Sequence, residues 1–197
     1  TSRPLLIVDW VDLQRDGRWC ALRAAMPTQG RTVTVYERIY PIAQINHPQA
    51  QRDFLVALAQ AIPVGVRPIL ITDAGFRSDW FRAVVSQGWD YVGRVRNNVK
   101  ARTSAEYPWF SCSDLHLGAT GRAEDLGPYQ LVKGQPWCCR LIRIRRKRKG
   151  RHPLTRAGTP QRGTDALRHR KSAHEPWLLA TSLASSPQAV AAKLRVA

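Results

Sequence analysis

Two aspartates, Asp9 and Asp73, end short apolar runs: Leu5-Leu6-Ile7-Val8 before the first, Pro68-Ile69-Leu70-Ile71-Thr72 before the second. A carboxylate at the end of a buried strand is costly unless it meets a cation or a hydrogen-bond donor. Two such strands side by side would hold both carboxylates close together, an arrangement suited to Mg²⁺ and phosphoryl transfer. Each aspartate alone could equally cap the turn after its strand. Both together, on strands expected to be neighbours in a basic chain, favour the metal. Arg94 and Arg96 occupy alternate positions of one strand, so they face one side of a sheet and could grip a phosphate with their guanidinium forks. A solvated edge pair is the competing reading of those two.

The charge balance points the same way. Among 197 residues, 31 are Lys or Arg and 14 are Asp or Glu, a net charge of +17. Such an excess implies a polyanionic partner, and nucleic acid binds basic surfaces by counterion release. Nucleic acid is the expected partner, with a membrane surface or an acidic protein as the alternatives. No apolar stretch is long enough for a membrane span, and the N-terminal apolar run stops at Asp9, unlike a signal peptide. A cytoplasmic location without membrane contact is therefore expected. Cys20, Cys112, Cys138 and Cys139 have no Cys-x-x-Cys spacing, so reduced, mostly buried thiols are expected rather than zinc. The five histidines do not cluster at ligand spacing.

The elements that must position these residues alternate along the first half. Residues 5–10, 18–25 and 31–39 read as strands, with Gln29-Gly30 as a turn and Val33, Val35 and Glu37 alternating against Thr32, Thr34 and Tyr36. Residues 48–62 read as an amphipathic helix with Phe54, Leu55, Leu58 and Ile62 on one stripe. A strand over 68–72, a helix over 78–87 ended by Gly88, and a strand over 91–95 follow. Three meandering strands, then helix, strand, helix, strand is the order of an α/β, ribonuclease-H-like core, in which the first and fourth strands are neighbours. A doubly wound nucleotide fold fits less well, because no glycine-rich phosphate loop follows the first strand.

Beyond residue 97 the pattern weakens, with strands expected near 129–132 and 137–144. Residues 140–171 hold thirteen basic residues against one acid, Asp165. That density is typical of a nucleic-acid surface, and Arg145, Arg146, Lys147, Arg148 and Lys149 are its expected phosphate contacts. Trp177 to Leu183 returns to an apolar strand, and Ser186-Pro187 opens a tail helix. The boundaries are a core over 1–96, a strongly basic β-rich insertion over 97–174, and a last core strand with the start of a C-terminal helix over 175–197.

Asp9-Trp10, Thr72-Asp73-Ala74-Gly75-Phe76 with Trp80-Phe81, and Gly88-Trp89-Asp90-Tyr91-Val92-Gly93-Arg94-Val95-Arg96 together resemble the IS4-type family of DDE transposases. The resemblance implies a ribonuclease-H-like catalytic domain with flanking helices and a β-rich insertion, using Mg²⁺ (or Mn²⁺) to cut element ends and join them to target DNA. It implies double-stranded DNA as partner, a dimer when DNA-bound and a bacterial, nucleoid-associated location. Asp9 and Asp73 match the first two acids of the family's catalytic triad. Trp177 matches a tryptophan that stacks on a base flipped from the DNA end; burial against the tail helix is the alternative.

The third acid departs from the pattern. No acid occurs after Glu175, and Glu175 precedes the last strand instead of following it. Glu175, Asp165 and Glu124 are poor substitutes. The expectation is a truncated chain with an incomplete last catalytic helix, inactive alone. A metal-dependent endonuclease of the same fold and a non-catalytic DNA-binding remnant remain the rival readings.

Overall fold

The apolar runs before the two aspartates become adjacent parallel strands. The computed structural model describes residues 3–13, 17–96, 99–146 and 175–194. Its strands are β1 (Leu5–Asp12), β2 (Trp19–Thr28), β3 (Arg31–Pro41), β4 (Ile69–Thr72), β5 (Asp90–Val95), β6 (Lys100–Arg102), β7 (Phe110–Ser111), β8 (Glu124–Leu131), β9 (Trp137–Ile144) and β10 (Trp177–Thr181). The helices are α1 (Pro48–Ala61), α2 (Ser78–Ser86) and α3 (Pro187–Lys193). The protein is thus α/β, with one mixed ten-stranded sheet in the order β3-β2-β1-β4-β5-β10-β9-β8-β6-β7. The pairs β1–β4 and β4–β5 are parallel; all others are antiparallel.

The helices form where local chemistry allows and pack where their stripes demand. Pro48 opens α1, its missing N–H falling where no intrahelical partner exists. Phe54, Leu55 and Leu58 of α1 and Trp80, Phe81 and Val84 of α2 are buried on one face of the sheet against Leu6, Val8, Leu70 and Ala180. Gly88, at φ 72°, ends α2 in the left-handed conformation glycine adopts without strain. On the other face Val190 and Leu194 of the α3 segment pack with Ile69, Ile71, Val92, Ile142 and Leu179. Ser186 caps α3 as its sequence predicts, its Oγ accepting the Ala189 N–H at 3.3 Å.

β1 runs on to Asp12, so Asp9 lies inside the strand, opposite Arg23 of β2, and not at its end as the sequence reading expects. Two further features were not read from the sequence. In β3, Ala25 pairs with Thr34 and Ala24 with Tyr36, so Val35 is an extra residue. This bulge breaks the expected alternation: Tyr36 turns to the helix face, 5.2 Å from Phe54, while Glu37 pairs with Arg23. A bulge on an edge strand twists it away from unwanted pairing. The second of these is continuity. Residues 99–146 supply four strands that join the first five through β10, which pairs with β5 on one side and β9 on the other.

The far end of that junction is tied by Arg140. Its Nε and Nη2 donate to Asp125 Oδ2 at 3.0 and 2.6 Å, and its Nη1 to the carbonyls of Leu183 and Ser185 at 2.9 and 2.6 Å. Those bonds hold the β10–α3 connection against β9. The Arg140 hydrogen bond, opposed by desolvation and aided by the Gly127 N–H, holds the Asp125 carboxyl below its usual 3.8. A depressed acid adds stability above its ordinary value and loses it as pH falls through the depressed one. Arg140→Met is expected to cost about 2 kcal/mol at neutral pH, chiefly through the carbonyl bonds, since the ion pair is solvent-screened. Urea melts should give a smaller loss below the ordinary aspartate value; equal losses would mean that Asp125 adds nothing.

Candidate functional site

Strand register assembles the site. Val8 of β1 pairs with Thr72 of β4, so the next residues, Asp9 and Asp73, are neighbours at the same end of the sheet. Thr72 in turn pairs with Gly93 of β5, which sets Arg94 beside Asp73. Residues in register across neighbouring strands share a face. Asp9, Asp73 and Arg94 therefore form one row, on the face that carries α3.

Both carboxylates are exposed, and each turns Oδ1 to a backbone N–H: Trp10 N to Asp9 at 2.8 Å, Gly75 N to Asp73 at 2.7 Å. The turn-capping use of these aspartates is thus present. It occupies one oxygen of each; among the described residues Oδ2 of neither makes a hydrogen bond. Although Asp9 reaches the surface, burial pushes its carboxyl above the usual 3.8, the neighbouring Asp73 charge raises it further, and the Trp10 N–H pulls it back. Like charges held side by side are what a divalent cation relieves. The donor set therefore fits Mg²⁺ or Mn²⁺, which often binds through one or two carboxylates plus phosphate and water. No third carboxylate, His or Cys among the described residues completes a trio with them.

A cationic cluster adjoins the pair. Arg94 is half-buried, and burial together with the Arg96 charge lowers its pKa, against the pull of Glu175 and Asp73. The guanidinium of Arg94 lies 4.9 Å from the Trp177 ring centroid, and that of Arg146 lies 4.7 Å from it. Arg146 also donates to the Leu194 carbonyl, at 3.5 Å. Arg145 is exposed, and its backbone N–H donates to the Thr120 carbonyl at 2.7 Å. Lys147, Arg148 and Lys149 lie outside the described residues, as does Asp165.

Two residues beside this cluster, His116 and Asn46, were missed from the sequence, and Glu175 was weighed there only as a poor third acid. Glu175, just before β10, acts electrostatically on Arg94 and on His116. His116 has a buried Nε2 without a hydrogen-bond partner among the described residues. Burial lowers its pKa, Glu175 opposes this, and Arg94, Arg143 and Arg145 push it lower still. Asn46, at φ 60°, brings its Oδ1 to 3.6 Å from where a Cβ on Gly75 would lie, beside the Asp73 turn. A lone Asn ahead of His-Pro was the available signal for the last; the other two depend on long-range register.

Asp90 is structural. It pairs with Arg3, and its Oδ1 accepts from Ser182 Oγ at 2.5 Å. A groove of about 650 Å³ between Arg82, Tyr91, Trp137 and Ser182 lies near that opposite end of β5, away from the carboxylates. Asp9 and Asp73 lie exposed at the surface, with Arg94 half-buried beside them. No protein-family model matches the chain, and no curated protein matches it significantly.

Proposed function

We propose that this chain is the catalytic region of a DNA transposase of the IS4 type, on a ribonuclease-H-like sheet that begins β3-β2-β1-β4-β5. The observation that carries the reading is the parallel pairing of β1 with β4, which sets Asp9 against Asp73 at one end of a strongly basic protein. Asp9 and Asp73 would hold Mg²⁺ or Mn²⁺. The bound cation would stabilise charge on the attacking and leaving oxygens of a phosphodiester. Arg94 and Arg96, one strand further on, would bind the phosphate being cut or its neighbour. Arg145 and Arg146, with the basic run after them, would track the DNA backbone and supply affinity without reading sequence. In this family two DNA ends are held together, so a DNA-bridged dimer belongs to the proposal.

A metal-dependent endonuclease of the same architecture would use the same residues and would cut without joining. The absence of a third ligand among the described residues favours a further reading: a DNA-binding protein without cleavage. Duplex binding in EDTA and in Mn²⁺ separates these. We expect Mn²⁺ to tighten binding about tenfold, a coupling of about 1.4 kcal/mol, and Asp9→Asn to remove the difference. Equal affinity in both conditions would sink the metal-dependent readings and leave the non-catalytic one. With no third ligand among the described residues, cleavage is not expected of this chain alone; nicking with strand joining in Mn²⁺ would mark a transposase, and nicking without joining an endonuclease.

A further inference from the structure

We propose that Trp177 is a positioning residue: it holds Arg94 and Arg146, which approach its ring from the strands on either side, as two contacts to backbone phosphates of duplex DNA beside Asp73. The inference rests on the nucleic-acid reading above and adds a role opposed to base stacking.

Trp177 begins β10, whose neighbours are β5 and β9. Arg94 comes from β5, and Arg146 follows the end of β9 two residues after Ile144, the partner of Trp177. The two guanidinium groups thus reach one indole from the strands on either side, at 4.9 and 4.7 Å from its centroid. Both distances are inside the range of about 6 Å for cation–π attraction. The ring itself is anchored, because β10 is paired along both edges and Trp177 packs on the second core cluster. A fixed ring cuts the rotamer freedom of two long side chains before any ligand arrives, and so lowers the entropy lost on binding.

Positive charge is crowded around the ring. Arg94 and Arg146 flank it, Arg145 precedes Arg146, and Arg96 lies two residues beyond Arg94. Glu175 and Asp73 are the acids whose charges reach Arg94, and burial and Arg96 both act against its charge. Cations gathered in this way are stabilised by an anion, and planar guanidinium groups match phosphate oxygens in bidentate fashion. The same arrangement weakens the case for Trp177 as a base platform. Its ring already carries two arginines, so a base could stack there only by displacing one.

The test measures duplex binding by the full chain across a salt series, using a short DNA of random sequence and the same duplex with one unpaired base. Trp177→Leu keeps an apolar side chain and removes the π face; Trp177→Phe keeps both. Trp177→Leu is expected to weaken duplex binding about tenfold, and Trp177→Phe to restore most of it. Arg94→Gln with Arg146→Gln should lower the log–log salt slope by roughly two units. On that background Trp177→Leu should change affinity by less than about twofold, because the ring acts through the arginines.

Equal losses for Leu and Phe, or additive losses with the arginine pair, overturn the proposal. So does a Trp177→Leu variant that keeps duplex affinity and loses only a preference for the unpaired base, which is the signature of a stacking platform. Wild-type chain that binds no duplex at low salt would overturn the nucleic-acid reading itself, a result distinguishable from all of these.

Discussion

Mn²⁺ should raise the melting temperature of the wild-type chain, and Asp9→Asn combined with Asp73→Asn should abolish that rise completely. At about ten times its dissociation constant the ion would stabilise the folded state by about 1.4 kcal/mol. For a chain of this size that is a shift of about 3–6 °C. In EDTA the order reverses: the double variant should melt higher than wild type, because it removes two carboxylates held side by side. The pH dependence follows from Asp9. Its folded-state pKa is raised, so its favourable contribution is complete below the ordinary value of 3.8 and is lost as pH rises through the raised value. Metal binding must displace the same proton. The Mn²⁺ shift should therefore fade on acidification before pH reaches 3.8, earlier than an unperturbed aspartate would allow. Calorimetric melts with and without Mn²⁺ over an acidic pH series check all three statements. A double variant that still responds fully to Mn²⁺ would place the metal elsewhere.

Gly93→Ala should be among the most damaging single substitutions in the chain. A Cβ on Gly93 would lie 2.2 Å from Phe81 Cζ and 2.4 Å from its Cε1, with Thr72 Oγ1 at 3.2 Å. The Phe81 ring has nowhere to retreat. It is stacked on Trp137 at 5.0 Å and packed on Tyr91 at 4.6 Å between ring centroids. Arg82, the next residue of α2, is itself tied to the carbonyls of Gln135 and Pro136 at 2.9 and 2.8 Å. Overpacking a core this well filled costs about 3 kcal/mol, which lowers the melting temperature by about 6–12 °C. Phe81→Leu alone should also destabilise, by leaving space around the ring's place. Combined with Gly93→Ala it should cost less than the sum of the two, since each change relieves the other. Strict additivity in denaturant melts would show that the helix shifts as a body instead. Because Gly93 sits between Thr72 and Arg94, the alanine variant should also loosen the carboxylate row, visible as a weaker Mn²⁺ response.

The local elements were legible in the chain because short-range chemistry dictates them. The apolar runs before Asp9 and Asp73 became β1 and β4, the Phe54-Leu55-Leu58 stripe became the buried side of α1, Gly88 ended α2, and Ser186-Pro187 opened α3. Asp73 follows the end of β4 as the sequence reading expects, whereas Asp9 lies inside β1 because pairing with β2 carries that strand on to Asp12.

What no local pattern carries is pairing between distant strands. The bulge at Val35 follows from how β3 meets β2, so the sequence alternation gave no sign of it. The place of β10 between β5 and β9 sets Trp177 against Arg94 and Arg146 and brings Glu175 and His116 into the same electrostatic neighbourhood. Residue types and periodicity determined which groups this protein has available for chemistry and which strand or helix bears each one. Only the long-range register, set by hydrogen bonds between strands far apart in sequence and by the packing of both sheet faces, decided which of those groups meet.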